Sequence, residues 1–254
     1  MTVGKIFAAG RPALIGYLPA WFPTVEGGIE AITAAVDAGV DAVEVGFPYS
    51  DPVIDGPVIQ RATEAALAAG VRPADVLRTV ERVAALGVPA VVMTYWNPME
   101  RYGVARFARD LAAAGGAGLI TPDLIPDEAG EWIAASDEHG LDRIFLVSPS
   151  STEARVRSTT AACRGFVYAT ALMGVTGARD QVSSDAPALV ERVRAVTRTP
   201  VAVGLGVRDG AQAAAIGAFA DGVIVGSALV AALAEGGIAA VAALTADLAA
   251  GVRA

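Results

Sequence analysis

Short apolar runs alternate with longer, alanine-rich segments of helical period along the whole chain. The runs are continuously apolar and rich in valine, isoleucine and leucine, which is typical of strands buried on both faces of a parallel sheet. They predict eight strands, at residues 13–18, 42–47, 90–95, 118–121, 143–147, 166–170, 201–204 and 222–225.

A segment of helical period follows every predicted strand. Gly39, Gly87 and Gly115 each stand between such a segment and the next strand, where a glycine commonly ends a helix. The predicted helices are residues 25–38, 58–69, 105–114, 127–138, 152–162, 186–196, 210–216 and 227–234, with additional helices at 73–86 and 238–248.

Eight strand–helix units follow one another without a linker or a low-complexity tract. This pattern predicts an α/β fold, a (β/α)8 TIM barrel with extra helices that forms a single domain over residues 1–254. A doubly wound open sheet is the rival architecture, but it requires a glycine-rich fingerprint directly after the first strand. Residues 19–23 contain two prolines and no glycine, so the barrel is favoured.

Composition limits the possible functions. Hydrophobic residues make up 54% of the chain and the formal net charge is −8, with no basic stripe that could bind nucleic acid. Polar residues interrupt the apolar regions before about 18 residues accumulate, and the first residues lack a secretion signal, so we expect neither a membrane span nor export. Cys163 is the only cysteine, which fits a reducing, cytoplasmic setting.

Two carboxylates stand where a barrel enzyme places its chemistry, at the end of a strand and in the loop beyond it. Glu44 lies inside a valine-rich strand, where burial favours the neutral form and makes the side chain a proton donor. Asp55 lies in the following proline-rich loop, and the two carboxyls together could form an acid–base pair. The alternatives are a salt bridge for Glu44 and a turn-forming role for Asp55.

Glycine-containing segments follow the predicted strands six, seven and eight, at residues 173–177, 204–206 and 225–227. Barrel enzymes often bind phosphate on the loops after strands seven and eight, at the N-terminus of a short helix, and Ser227 could add a hydroxyl group. Barrel turns also use glycine for purely structural reasons, so a single Gly-x-Gly is weak evidence. Three such loops together favour a phosphate site.

The residues that the chain lacks narrow the chemistry further. Lys5 is the only lysine and precedes the first strand, which disfavours a Schiff-base aldolase and bound pyridoxal phosphate. His139 is the only histidine and lies at the end of a predicted helix, which disfavours a zinc-dependent aldolase. Proton or carbon chemistry by carboxylates on a phosphorylated substrate remains.

The stretch of residues 43–60, which contains both carboxylates, resembles the signature of the tryptophan synthase alpha subunit family, and segments 174–177, 204–207 and 221–227 match as well. The resemblance implies a lyase that splits indole-3-glycerol phosphate into indole and glyceraldehyde 3-phosphate. It implies that Glu44 protonates indole C3 and handles the glyceryl hydroxyl proton. Asp55 is then the group that hydrogen-bonds the indole N–H and stabilises the indoleninium tautomer.

The resemblance also implies roles for further residues. Tyr168 supports the catalytic acid, and the loop 173–177 closes over the substrate. The phosphate is bound by Gly177, Gly206, Gly226 and Ser227. The indole pocket or its lid is lined by Tyr17, Ile59, Tyr95, Thr176 and Leu205.

A partner follows from the resemblance alone. It is the beta subunit, which carries pyridoxal phosphate and joins indole to serine in an α2β2 tetramer, whereas this chain itself carries no cofactor. Asp51, Pro52 and Asn97 match positions near that contact. The other functions considered are a stand-alone indole-3-glycerol phosphate lyase, a catalytically weak allosteric barrel and an isomerase of the same biosynthetic pathway. The intact acid pair argues against the second, and the loop 49–52 argues against the third.

Some positions depart from the family pattern. Residues 18–23 replace a common Thr-x-Gly-Asp-Pro run, and the lead-in before the first strand is short, which predicts a reduced N-terminal helix below the barrel. Leu205 and Leu172 stand where phenylalanine and arginine are common. These two differences bear on the fit of the indole pocket and on the contacts of the lid.

Overall fold

The computed structural model describes residues 2–170, 185–204 and 206–254. Within these residues, nine parallel strand segments form one sheet. They are β1 (Ala13–Pro19), β2 (Ala42–Gly46), β3 (Ala90–Met93), β4 (Gly118–Ile120), β5 (Asp142–Ile144), β6 (Leu146–Val147), β7 (Val167–Thr170), β8 (Val201–Gly204) and β9 (Gly222–Val225).

The sheet closes into a barrel. β1 pairs with β2 on one side and with β9 on the other. β5 and β6 are the two ends of the strand order, yet they are consecutive in the chain and only Phe145 separates them. The Phe145 carbonyl oxygen accepts a hydrogen bond of 3.2 Å from the Tyr168 N–H. β5 and β6 are therefore two halves of one barrel strand, which confirms the predicted eight-stranded barrel.

The interruption of the fifth predicted strand has a local cause. The backbones of Arg143 and Arg164 exchange hydrogen bonds of 3.1 and 2.8 Å in an antiparallel bridge. This bridge occupies the edge of β5 that would otherwise face β7. Pairing with β7 begins only at β6, where Leu146 lies opposite Tyr168.

Helices surround the sheet. Short 3-10 helices cover Val3–Ala9 and Pro126–Glu128. The α-helices in the described part of the chain are α1 (Val25–Asp37), α2 (Pro57–Ala68), α3 (Pro73–Ala85), α4 (Trp96–Tyr102), α5 (Val104–Ala113), α6 (Gly130–His139), α7 (Glu153–Ala162), α8 (Asp185–Arg194), α9 (Gly210–Gly217) and α10 (Ser227–Val252).

Three predictions need correction. The strand predicted at 90–95 ends at Met93, because Tyr95 is the extended residue that precedes α4, a helix the sequence pattern did not reveal. The helix predicted at 127–138 is a 3-10 turn followed by α6. The helices predicted at 227–234 and 238–248 join in α10, which bends where Gly237 adopts a φ of 66°.

The 3-10 helix Val3–Ala9 closes the end of the barrel at which the strands begin, called the bottom below. Val3 is fully buried, and Ile6 and Phe7 pack against the inward-facing side chains of the strands. This short 3-10 helix agrees with the prediction, made from the sequence, of a reduced N-terminal helix. The inward-facing side chains include Ile15, Val91, Ile144, Phe166 and Ile224.

Among the described helices, α10 alone is long and apolar enough to cross a membrane by length and composition. It packs against α9, α1 and β1 and is bent at Gly237. It therefore belongs to the helical layer of the barrel and is not a membrane span.

Candidate active site

Glu44 lies in the middle of β2 with its side chain inside the barrel, on the same face of the strand as Ala42. The residue is 1% exposed, and neither carboxylate oxygen has a hydrogen-bond partner among the described residues. Burial raises the pKa of Glu44 to about 8. The alternative salt bridge is therefore not formed within the described residues, and the side chain is a protonated acid at neutral pH.

Asp55 lies in the loop between β2 and α2 and is held by a residue from the next strand–helix unit. The Tyr95 hydroxyl accepts a hydrogen bond of 3.0 Å from the Ile54 N–H and also hydrogen-bonds the Asp55 carboxyl. On the other side, the Gln60 side-chain amide donates to the Asp55 carbonyl at 2.7 Å. Burial raises the pKa of Asp55 to about 6, and the bond from Tyr95 opposes this rise.

The two carboxyls are thus in different protonation states near pH 7. With pKa values of about 8 and about 6, Glu44 is mostly protonated while Asp55 is mostly ionised. A pair of carboxyls whose environments separate their pKa values can supply one proton donor and one anionic acceptor. The assignment of Glu44 and Asp55 as the acid–base pair stays a prediction.

Two tyrosines occupy space that two glycines leave inside the barrel. The Tyr17 hydroxyl lies against Gly46, and the Tyr168 hydroxyl lies against Gly204, where an added β-carbon would be 2.5 Å from the oxygen. Burial raises the pKa of both tyrosines well above the usual value. The negative charges of the two carboxyls raise these pKa values further. Asp55 has the larger effect on Tyr17, and Glu44 has the larger effect on Tyr168. Both hydroxyls therefore stay protonated beside the acid pair.

The N-terminus of α10 has the features of an anion site. Gly226 precedes the helix and provides no side-chain cap, and Ser227, its first residue, is 7% exposed. The N–H groups of a first helical turn lack acceptors within the helix and favour anions. At the start of α9, by contrast, Asp209 accepts the Gln212 N–H at 2.8 Å. Gly226 and Ser227, which the sequence associates with phosphate, thus lie at a helix start without a side-chain cap.

The remaining predicted site residues are distributed over several elements. Gly206 follows β8 and has a φ of 67°, a conformation that favours glycine. Ile59 is buried in the first turn of α2, in the same core cluster as Tyr17, and Tyr95 is 5% exposed. The predictions that lie outside the described residues are Leu172, Thr176, Gly177 and Leu205.

The predicted partner-facing residues lie on the surface near Asp55. Asp51 and Asn97 are exposed and Pro52 is half-buried. The Asn97 side chain donates to the Tyr49 hydroxyl at 2.8 Å, and the Tyr49 ring lies 5.4 Å from the ring of Tyr95, which holds Asp55. Val53 lies in the same loop and is 68% exposed, although it is apolar.

The segment 18–23, which departs from the family pattern, contains a residue with an unusual backbone conformation. Trp21 has a φ of 65°, in the left-handed region that glycine adopts easily. The loop lies close to the backbone of α1, because a β-carbon on Gly28 would be 3.1 Å from the Phe22 carbonyl oxygen. The tryptophan therefore stands in a backbone position suited to glycine.

The described residues hold no group of three or more His, Cys, Asp or Glu side chains that could bind a metal ion. Lys5 lies in the 3-10 helix at the bottom of the barrel and is exposed. The catalytic candidates among the described residues are the two carboxyls and the tyrosines around them.

Comparison with known proteins identifies the relatives of the chain. The family model described as tryptophan synthase alpha chain matches residues 4–250. A tryptophan synthase alpha chain from Salinispora arenicola is 67% identical over 98% of this chain and 95% of its own length. One from Mycobacterium avium is 65% identical over 99% of this chain and 94% of its own length.

Solved structures agree in fold. A chain of tryptophan synthase from Mycobacterium tuberculosis is 62% identical and superposes with a TM-score of 0.95, covering 99% of this chain and 98% of the other. Tryptophan synthase subunit alpha from Legionella pneumophila is 32% identical and superposes with a TM-score of 0.90, covering 99% and 96%. The similarity therefore spans the whole barrel.

Proposed function

The chain belongs to the tryptophan synthase alpha chain family, and from this premise we propose that Glu44 and Asp55 are its catalytic pair. It is the alpha subunit that acts in tryptophan biosynthesis, and it catalyses the lyase cleavage of indole-3-glycerol phosphate. The observation that carries the proposal is the buried, unpartnered Glu44 carboxyl, with a pKa of about 8 beside an Asp55 with a pKa of about 6.

The different protonation states assign the steps. Glu44 donates its proton to indole C3, while the Asp55 carboxylate accepts a hydrogen bond from the indole N–H and stabilises the resulting indoleninium cation. The Glu44 carboxylate then takes the proton of the glyceryl hydroxyl. The electron pair of that O–H bond forms the aldehyde, and the pair of the breaking carbon–carbon bond returns to the ring. Indole and glyceraldehyde 3-phosphate leave, and Glu44 is protonated again.

The tyrosines orient this pair. The charge of Glu44 raises the pKa of Tyr168 more than the charge of Asp55 does. In this proposal the Tyr168 hydroxyl supports the catalytic acid. Tyr95 fixes Asp55 through its hydrogen bond, and Tyr17 faces both carboxyls. Together with Ile59, Leu205 and Thr176, Tyr17 and Tyr95 form the indole pocket and its lid in this proposal.

The substrate phosphate lies at the open N-terminus of α10. The first-turn N–H groups, the Ser227 hydroxyl and the backbones of Gly206 and Gly226 are its donors in this proposal, because helix N-termini attract anions. Gly177 is a further donor in this proposal. The distance between the acid pair and α10 is spanned by Tyr17, which contacts Gly46 at one end and Gly226 at the other.

Membership in an alpha chain family implies a beta-subunit partner. We propose that the assembly is an α2β2 tetramer in the cytoplasm, with pyridoxal phosphate on the beta subunit and no cofactor in this chain. The contact surface includes Asp51, Pro52 and Asn97. The loop that carries Asp51 also carries Asp55, so partner binding there bears directly on the acid pair. The whole chain, residues 1–254, acts as one domain.

Indole release from indole-3-glycerol phosphate, measured with the purified chain alone and with a tryptophan synthase beta subunit, tests the proposal. Slow cleavage that rises strongly with the partner is the expected result. Fast cleavage that does not respond to the partner would identify a stand-alone lyase instead. No cleavage in either case would remove the acid pair from this reaction.

A further inference from the structure

Three aromatic side chains connect the bottom of the barrel with the acid pair. Phe7, from the N-terminal 3-10 helix, lies 5.9 Å from Phe166 at an interplanar angle of 60°. Phe166 in turn lies 6.5 Å from Tyr168 at 35°. Phe166 is fully buried and stands two residues before Tyr168, so both side chains point into the barrel. These three residues are called the aromatic column below.

The lower end of the aromatic column is anchored. The Val3 N–H donates a hydrogen bond of 2.7 Å to the Asp142 carboxylate, which is 2% exposed at the start of β5. A β-carbon on Gly165 would be 2.6 Å from a Val3 methyl group, so the 3-10 helix sits tightly against the residue that precedes Phe166. The Phe7 ring also meets β9, since a β-carbon on Gly222 would be 3.1 Å from it. The helix that carries Phe7 therefore has little freedom to shift.

The upper end of the aromatic column has equally little space. The Tyr168 hydroxyl lies against Gly204, so the ring is confined between Phe166 and β8. The titratable groups that influence this site are Tyr17 on β1, Glu44 on β2 and Asp55 in the following loop. Close-packed interiors transmit displacement, so a change at Phe7 reaches Tyr168 through Phe166.

We propose that Phe7 and Phe166 are positioning residues for the reaction: the aromatic column, anchored by Asp142, holds the Tyr168 hydroxyl beside Glu44. This inference rests on the proposed roles of Tyr168 and Glu44. It assigns a catalytic consequence to the N-terminal 3-10 helix, which otherwise only closes the bottom of the barrel. The helix lies at the end of the strands opposite to the reacting groups, and in this proposal its effect reaches Glu44 through the aromatic column.

The test compares Phe7→Ala with Ile6→Ala. Both side chains are partly buried, lie on the same 3-10 helix and pack on the same interior cluster, but only Phe7 belongs to the aromatic column. We expect Phe7→Ala to lower kcat by roughly 3- to 30-fold, the range for coupling through packed side chains. KM should stay nearly constant, and the alkaline limb of the kcat/KM profile should shift. Ile6→Ala should lose stability and keep the wild-type profile.

Tyr168→Phe distinguishes the role of Tyr168 from the role of the aromatic column. If Tyr168→Phe leaves the alkaline limb unmoved, the proposed role of Tyr168 fails. If Tyr168→Phe moves the limb while Phe7→Ala does not, or while Ile6→Ala moves it equally, only the aromatic column is overturned. Should Phe7→Ala fail to fold, Phe7→Leu removes the ring but keeps most of the apolar volume, and a shift of the limb in the same direction is required of it.

Discussion

The hydroxyl oxygen of Tyr168 lies directly against Gly204, so closely that a β-carbon at this glycine would stand 2.5 Å from it. No real β-carbon tolerates that distance, so any side chain at position 204 must displace the tyrosine. The Tyr168 side chain can therefore occupy its position beside Glu44 only because residue 204 is a glycine.

Gly204→Ala should therefore move Tyr168 and lower kcat, with a loss of stability of about 1–3 kcal/mol from overpacking. Gly130→Ala is the matched control, because a β-carbon there meets nothing and its φ is not positive. The control should keep full activity and lose no stability. Indole release and urea unfolding measure both effects, and equal behaviour of the two variants would contradict the assigned position of Tyr168.

The buried Glu44 should make the protein less stable as the pH rises. Its pKa in the folded state, about 8, lies above the ordinary value of 4.5. Between these values the folded chain holds a proton that the unfolded chain releases, so stability present at low pH is lost as the pH increases. The Glu44→Gln variant has no titratable group at this position, so its stability lacks this pH dependence.

Unfolding free energies at pH 5 and pH 7.5 measure the effect. The wild type should lose at least about 1 kcal/mol relative to Glu44→Gln over this range, since one pKa unit corresponds to about 1.4 kcal/mol. Glu81→Gln, at an exposed position of α3, is the control and should run parallel to the wild type. If the unfolding free energy of Glu44→Gln changes with pH as much as that of the wild type, Glu44 is not protonated in the folded state.

Tyr95→Phe should raise the pKa of Asp55, because it removes the hydrogen bond that now lowers it. The acid limb of the kcat/KM profile, near pH 6 in the wild type, then moves to higher pH. Tyr49→Phe removes a hydroxyl from the neighbouring ring, 5.4 Å away, and should leave the limb in place. If the acid limb stays fixed in both variants, it reports the titration of a group other than Asp55.

Ser227→Asp should weaken substrate binding, because it places a negative charge at the proposed phosphate site. We expect KM for indole-3-glycerol phosphate to rise by roughly 10-fold or more, the effect of one like charge near a protein surface. Ser158→Asp adds the same charge at an exposed position of α7 and should leave KM unchanged. An unchanged KM in Ser227→Asp would place the phosphate elsewhere.

The sequence could indicate the barrel because buried parallel strands must be apolar on both faces, and eight such runs stand out from alanine-rich helices. It could indicate Glu44 for the complementary reason: a carboxylate is chemically out of place in a valine-rich strand. The N-terminus of α10 was visible because Gly226 and Ser227 stand where an apolar helical segment begins.

Other features depend on contacts between distant parts of the chain. The Tyr95 hydroxyl meets the Ile54 N–H across 41 positions, and no local pattern encodes that contact. A glycine such as Gly204 shows in the sequence that space is needed but not that Tyr168 fills it. The helix α4 escaped prediction because its start, at Trp96, continues an apolar and aromatic run that looks like strand.

The central claim is that Glu44 acts as the protonated acid and Asp55 as the anion, and the pH dependence of kcat/KM for indole release tests it most directly. The account predicts a bell with an acid limb near pH 6 and an alkaline limb near pH 8. The substrate phosphate also titrates near pH 6, so the acid limb is assigned to Asp55 only if Tyr95→Phe moves it. A rate that keeps rising through pH 9 would show that the reaction does not need a protonated Glu44 and would contradict the account.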